Sequence, residues 1–425
     1  MNTSNFLKII FDYLNEHIQY AVLRNYENLP QKPSRDIDLI VNKSSFLNKK
    51  DNFIRLFLNN GYCLLQKYEG SEMTTLVFAS YDKGLHVISF DFLFSIYVRN
   101  LVLLKSQEVL STRIFNGKLY HVRKDMEFLS KYMYNLILGE SYPQKYNHIK
   151  QEAYTSYRKE IYSHLRRLGL NDEGKPLHVK KIMWSKYFFR TFFSTNRYYK
   201  RTIYNLFNPQ GFSIGFTGPD GSGKTTIINT LVAELNTIYK KIPLYHFRPT
   251  MFGNIGDVAH AAGLKKEVDH NFNKPHRGVR TSIISSLCRL VYYTNDYILG
   301  YICKIHRELF KRNIIIFDRY FTDIICDSRR SRIYLGPKFL YLWNKCFIPT
   351  LDYNILLTAN AYTILSRKNE LDEEGIRSIN SKIDYLANKK GYIKILNETT
   401  PQDTIAQILT YIFEEQNKKN LKRLR

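Results

Sequence analysis

A short apolar run, Ser213–Thr217, feeds directly into Gly218-Pro219-Asp220-Gly221-Ser222-Gly223-Lys224-Thr225, and Thr226–Leu235 continues with helical periodicity. No other feature narrows the fold as much. The spacing G-x-x-x-x-G-K-[ST] lets a loop wrap a phosphate, because glycines admit backbone conformations that turn successive N–H groups inward. The start of a helix adds its partial positive charge at the same place. Lys224 is then expected against β- and γ-phosphates and the Thr225 hydroxyl on Mg²⁺. Gly218, Asp220, Gly221, Ser222, Gly223 and Thr226 complete the lining. A strand before the motif and a helix after it separate this reading from a glycine-rich turn that happens to contain Lys-Thr. ATP and Mg²⁺ are the expected cofactors.

Further along, Ile314–Phe317 is an apolar run ending in Asp318-Arg319-Tyr320. A buried parallel strand that ends in a carboxylate beside a phosphate loop places an acid where a metal or substrate must be ordered. Arg319 brings a planar fork of donors suited to a transferring phosphoryl group. A third strand, Tyr353–Leu357, follows Pro349-Thr350-Leu351-Asp352 and precedes Arg367-Lys368-Asn369-Glu370. Cations there can close over phosphates and exclude water, although a solvated helix face explains any one of them equally well. Strands and helices alternate to about Phe413, which reads as a parallel α/β domain.

The order FTGPDGSGKTT, then FDRYFTD, then a strand and an Arg-Lys segment resembles the thymidylate kinase family of nucleoside monophosphate kinases, over about residues 211–400. The resemblance implies that Lys224 and Thr225 bind ATP and Mg²⁺ and that Asp220 reaches the acceptor. It also implies that Asp318 and Arg319 organise the acceptor phosphate and that Arg367 is a lid arginine. The chain departs from the family pattern at several points. Asp323 and Ile324-Ile325-Cys326-Asp327 stand where the family has Ser and Ala-Tyr-Gln. Thr217 replaces a glutamate, and the Arg-Glu-Pro-like segment is His246-Phe247-Arg248-Pro249. The chain looks more like the divergent thymidylate-kinase-like proteins found among bacterial surface-polysaccharide genes. Asp323, Asp327, Arg329 and Arg330 suit a hydroxyl-rich, anionic acceptor, while Arg280 or Arg289 would have to rebuild a pyrimidine site.

Residues 1–105 alternate helix and strand patterns. Phe6, Ile9, Ile10, Tyr13 and Leu14 recur at helical spacing, and Tyr20–Arg24 reads as a strand. After a loop with Pro30 and Pro33 come a strand at Asp36–Val41 and a helix capped near Ser44. Gly61–Tyr68, Met73–Ser80 and Leu85–Phe92 follow as strands. Asp36 and Asp38, at i and i+2, share one strand face, and Asp91 on a later strand is a third carboxylate for a two-metal site. This unit resembles the nucleotidyltransferase fold, with Arg24-Asn25 where that family has a Gly-Gly/Ser pair. A degenerate domain whose aspartates cap strand ends is an equal reading.

The remaining stretch, 106–207, looks mostly helical. Between Ser141 and Arg201 it holds 14 Lys and Arg against four acids, Glu152, Glu160, Asp172 and Glu173. Its end, Lys180–Phe207, interleaves cations with aromatics. It reads as a core helix, an interfacial membrane helix or a nucleic-acid face; a helix packed between domains fits best and sequence-specific nucleic acid least. The net charge of the 425-residue chain, +25, attracts phosphates or anionic lipid without specifying a fold. Five cysteines with no Cys-x-x-Cys pair argue against zinc and disulfide frameworks, and 15% aromatic content argues against disorder.

The expected organisation is α/β throughout: a nucleotidyltransferase-like domain at 1–125, a basic helical connector at 126–207, and a P-loop kinase domain at 208–425. The expected activity is ATP-dependent phosphoryl transfer to a phosphorylated small molecule or glycan acceptor. The alternatives are nucleotidyl transfer through Asp36, Asp38 and Asp91, or a nucleotide-regulated scaffold for polysaccharide assembly. A cytoplasmic location is expected, with peripheral contact to anionic inner membrane and homodimer formation left open.

Overall fold

The computed structural model describes residues 3–32, 36–170, 179–239, 241–253, 282–368 and 372–423. The chain divides into two compact units, one formed by 1–207 with 413–425 and the other by 208–412.

The first unit is built on a mixed seven-stranded sheet. Its strands are β1 (Tyr20–Val22), β2 (Asp36–Val41), β3 (Cys63–Glu69), β4 (Met73–Tyr81) and β5 (Leu85–Leu93), with β8 (Ile114–Phe115) and β9 (Tyr120–His121). They run in the order β3-β4-β5-β2-β1-β9-β8, and a separate hairpin pairs β6 (Ser95–Val98) with β7 (Leu101–Lys105). The helix Lys43–Leu58 places Phe46, Phe53, Ile54 and Phe57 on one face, the spacing of an amphipathic helix. That face packs on the sheet: Phe57 stacks on Phe78 at 3.8 Å and Phe53 meets Phe90 edge-on at 5.4 Å. Each buried aromatic contributes roughly 1.5–3 kcal/mol, so this layer anchors the unit. The helix expected to begin near Ser44 is capped two residues earlier, where Asn42 Oδ1 accepts the Ser45 N–H at 3.1 Å.

Within 106–207 the chain is largely helical, with Lys124–Leu138 and Asn147–Arg167 the main elements before 170. The short strands β8 and β9, which no alternation in the sequence signals, extend the sheet beyond β1. The basic aromatic stretch is two helices, Val179–Ser185 and Phe188–Phe207.

Among the described residues, the second unit holds five strands: β10 (Phe212–Thr217), β11 (Leu244–His246), β12 (Ile314–Asp318), β13 (Tyr353–Thr358) and β14 (Tyr392–Leu396). Their order is β11-β12-β10-β13-β14, and every pair is parallel. β10 is buried along its whole length and β12 at all but its last residue, which explains their unbroken apolar sequences. The unit is a parallel α/β fold of the P-loop type. β10 lies at the centre, paired with β12 on one side and β13 on the other; the chain passes from β10 to β11 beyond β12, returns to β12, and then crosses to β13. The crevice at the carboxyl ends of these strands is therefore the natural ligand position. The apolar stretch at 283–305 is an α-helix at Ile283–Gly300 followed by one wider turn to Ile305. Among the described residues, no helix is long and apolar enough to cross a membrane.

Candidate active site

The loop after β10 has the shape its glycines permit. Gly221 and Gly223 have φ of +86° and +87°, which side chains rarely tolerate. A Cβ at Gly218 would run into the Leu357 carbonyl, and one at Gly223 into the Asn397 amide. Gly223 starts the helix Lys224–Leu235, so the first helical N–H groups face the loop. Thr225 and Thr226 are exposed in that first turn. Ser222 Oγ is buried and has no hydrogen-bond partner among the described residues.

Lys224 is buried, and its ammonium donates to the carbonyls of Gly218 and Pro219, both at 2.8 Å. Burial, reinforced by the neighbouring Arg319 charge, pushes its pKa down to about 8, while Asp220, Asp323 and Asp318 pull the other way.

At the end of β12, Arg319 takes a left-handed backbone conformation, φ +74°, which is uncommon for a residue with a side chain. The turn sends its guanidinium back toward the loop. Nη1 donates to both oxygens of Asp323, at 2.8 and 3.0 Å, and Nη2 donates to Asp220 Oδ1. Arg330 Nη2 donates to the other Asp220 oxygen. Burial opposes the charged guanidinium, but Asp323, Asp220 and Asp318 outweigh it and hold Arg319 above the ordinary arginine value. Asp318 accepts from His246 Nδ1 at 3.1 Å through Oδ2, and its Oδ1 is buried without a hydrogen-bond partner among the described residues. Burial alone would raise the Asp318 pKa; the His246 hydrogen bond and the Arg319 charge bring it below the usual value.

The structure thus gathers Lys224, Asp220, Asp318 and Arg319 at one mouth. Arg367, at the end of the helix Ala361–Arg367, reaches the same place: its Nη1 donates to the Asn397 carbonyl at 3.3 Å. Its neighbours Asn369 and Glu370, and also Arg280 and the loop residue Pro33, lie outside the described residues. Asp327, read as a group facing the acceptor, instead caps Ser328–Ser331 by accepting the Arg330 N–H, and Asp323 is occupied by Arg319. Thr217, where a glutamate was usual, lies 2.7 Å from the Thr322 hydroxyl.

Asn397 had no signal in the sequence, and the partners of Arg330 and Arg248 were not visible there. Asn397 donates from Nδ2 to the Ser222 carbonyl at 2.8 Å, across 175 positions, and its Oδ1 accepts from the Thr404 hydroxyl at 3.0 Å. Arg330 lies on a short helix that the sequence does not announce. Arg248 is buried against Asp296, 3.1 Å away, with its guanidinium over the Tyr293 ring at 4.6 Å. Asp296 also accepts the N–H groups of Met251 and Phe252.

Of the N-terminal carboxylates, Asp38 and Asp91 stand opposite each other on the parallel strands β2 and β5. Asp38 is buried and bound by Arg24 Nε at 2.7 Å, and Asp91 accepts from the Thr75 hydroxyl at 2.5 Å. Asp36, two residues along, is exposed. No group of three His, Cys, Asp or Glu among the described residues is placed to hold a metal ion.

The phosphate loop, the Asp318-Arg319 turn and the parallel sheet all fall in the second unit. Residues 216–407 match the thymidylate kinase family. A crystal structure of thymidylate kinase from Ehrlichia chaffeensis aligns with 48% of this chain and 98% of its own, at 16% identity and a TM-score of 0.32. Comparison with curated proteins gives no match. The second unit is thymidylate-kinase-like, which supports a nucleotide-kinase type of phosphotransferase.

Proposed function

We propose that the second unit transfers the γ-phosphoryl group of ATP to an acceptor that already carries a phosphate, either a nucleoside monophosphate or a sugar- or glycan-linked phosphate. The observation that carries this reading is the convergence of Arg319 and Arg330 on Asp220, at the tip of the loop that Lys224 supports. Phosphoryl transfer needs little covalent chemistry from a protein. It needs fixed positive charge around the migrating group and around both of its neighbours.

The residues present fit the two groups. The glycine cradle at 218–223 and the orphaned Ser222 hydroxyl suit the donor phosphates. Thr225 and the unpartnered Asp318 Oδ1 are the groups to hold Mg²⁺, which when bound neutralises charge on the phosphate oxygens. Asp220 and Asp323 fix the two guanidinium groups, so that little reorganisation remains when the acceptor phosphate arrives. Arg367 supplies a further cation on the helix end beside the loop.

A screen of phosphorylated acceptors with γ-labelled ATP, reading ADP and pyrophosphate separately, tests the reading. ADP with label on the acceptor supports it. Pyrophosphate instead would assign the reaction to the Asp38–Asp91 pair of the first unit, and nucleotide binding without turnover would make the chain a nucleotide-regulated scaffold.

A further inference from the structure

The helix Phe188–Phe207 turns its polar side inward. Thr191, Ser194 and Asn205 are its buried residues. Thr191 Oγ1 donates to the Met183 carbonyl and Ser194 Oγ to the Asn100 carbonyl, both at 2.7 Å, and Asn205 Nδ2 donates to the Glu69 carbonyl at 3.3 Å. Two ion pairs pin the same helix to the sheet edge, Arg197 with Glu72 at 3.4 Å and Arg201 with Glu69 at 2.9 Å. These bonds fix which face looks out. At helical spacing that face carries Phe189, Phe192, Phe193, Ile203 and Phe207, with Phe189 and Phe207 about three-quarters exposed, 74% and 76%. Scattered exposed apolar residues need no explanation, but here Phe189, Phe192 and Phe193 near the start of one helix face and Ile203 and Phe207 near its end, with the exposed Asn196 and Lys200 between them, are held outward together by those hydrogen bonds.

The charge around it says what kind of surface it meets. Residues 179–207 contain seven Lys and Arg and no Asp or Glu. Lys181, Lys186 and Lys200 are exposed. A cleft of about 580 Å³ beside the helix is lined by Lys43, Lys105, Arg190 and Arg197, with Glu72 the single acid in its wall. Glu72 is already engaged by Arg197 and by the Ser95 hydroxyl at 2.9 Å. The cleft therefore has cations to spare for an anion. Burial and the nearby Arg197 charge hold the Lys43 ammonium below the ordinary lysine value, consistent with cations crowded together.

We propose that this face docks the chain onto an anionic phospholipid bilayer, with the aromatic side chains entering the boundary between headgroups and acyl chains. The cations at its flank meet the lipid phosphates. Aromatic bulk with a basic border is the composition of helices that lie in that boundary. A second copy of the chain is the weaker occupant, because pairing two such faces sets the exposed Lys181, Lys186 and Lys200 of one against those of the other, with no acid in either segment. The proposal does not rest on the kinase reading.

The test is co-sedimentation of the full chain with phosphatidylcholine vesicles, with and without phosphatidylglycerol, at low and high salt. Expected is binding that requires the anionic lipid and weakens with salt. The variant Phe189→Ser with Phe193→Ser and Ile203→Ser should lower partitioning at least about tenfold, since each side chain withdraws apolar area from the bilayer. Those positions are exposed, so melting should be unchanged; if that variant fails to fold, Lys181→Glu with Lys200→Glu must show the same loss. In a Trp343→Phe background, the emission of Trp184, whose ring lies 6.2 Å from that of Phe188, should shift to the blue on vesicle addition. Wild-type protein that ignores anionic vesicles, or serine variants that bind as well as wild type, overturn the proposal. So does a dimer that only the serine variants dissociate while vesicles have no effect.

Discussion

Asp220 receives a guanidinium on each of its carboxylate oxygens, Arg319 on Oδ1 and Arg330 on Oδ2. The loop that meets the donor is thereby tied to two arginines from the segment after β12. Asp220→Asn removes the charge that fixes both. Arg319 keeps Asp323, so the expected destabilisation is about 1–3 kcal/mol, less than for a cation left wholly unpaired. Phosphoryl transfer should fall at least about tenfold, because the arginines lose their orientation. Thermal unfolding and steady-state kinetics check both parts; unchanged kinetics would remove Asp220 from the machinery.

Lys224→Ala should reduce phosphoryl transfer by at least about a hundredfold, the scale of losing a preorganised charge. Lys224 makes hydrogen bonds within its own loop, so the fold should survive, as circular dichroism and melting would show. A well-folded variant with wild-type turnover would end the kinase assignment.

The depressed Lys224 pKa gives a signed pH effect. Below about 8 the ammonium is charged and ready for the donor phosphates; above it the free protein is neutral there and must take up a proton to bind. ATP affinity should therefore weaken as pH rises through about 8, by up to tenfold per pH unit. Calorimetry in buffers of different ionisation enthalpy should detect proton uptake above that pH, and Lys224→Ala should abolish it. Affinity flat from pH 7 to 9.5 would contradict this.

In the first unit, Asp36→Asn combined with Asp38→Asn is expected to leave ADP formation within about twofold, since the phosphate loop and its arginines are all residues of the second unit. Loss of the Asp38–Arg24 pair should lower stability by no more than about 1 kcal/mol, because Arg24 is about one-third exposed, 36%, and screened by water. A selective loss of pyrophosphate formation would instead mark a working nucleotidyltransferase site.

Thymidylate should be a poor acceptor. The arginine available from the His246-Phe247-Arg248-Pro249 segment is buried against Asp296 and Tyr293. The carboxylates after Arg319 are taken up by Arg319 and by the Ser328–Ser331 helix cap. A pyrimidine edge left without matched donors and acceptors can lose several powers of ten in discrimination. A kcat/KM for thymidylate at or above ~10⁵ M⁻¹s⁻¹, within the usual enzyme range, would contradict the prediction.

What was readable in the amino-acid order was what local chemistry determines. Residues 218–225 announce a phosphate loop because glycine freedom and helix geometry act within a few positions. Ile314–Asp318 reads as a buried parallel strand because both of its faces are covered. Asn397 was invisible, since a single asparagine gains meaning only from a carbonyl 175 positions away. The direction faced by Phe188–Phe207 was equally hidden. Alternating aromatics and cations define an amphipathic helix, but it took the hydrogen bonds of Thr191, Ser194 and Asn205 to decide that the polar side is the inner one. The short strands β8 and β9 owe their place to neighbours in the sheet, not to any pattern of their own.

Asn397 fastens Ser222 and is itself fastened by Thr404, while Asn420 donates to the carbonyls of Leu64 and Leu65 at 3.0 Å and Asn417 accepts from the Leu64 N–H. During synthesis, then, neither unit can be finished when its own strands have emerged. The phosphate loop lacks its clamp until residue 404 is clear of the ribosome, and strand β3 lacks its edge partners until residue 420 is. A nascent or stalled chain presents an unfinished nucleotide site and an unfinished sheet edge together, and the same late stretch completes both.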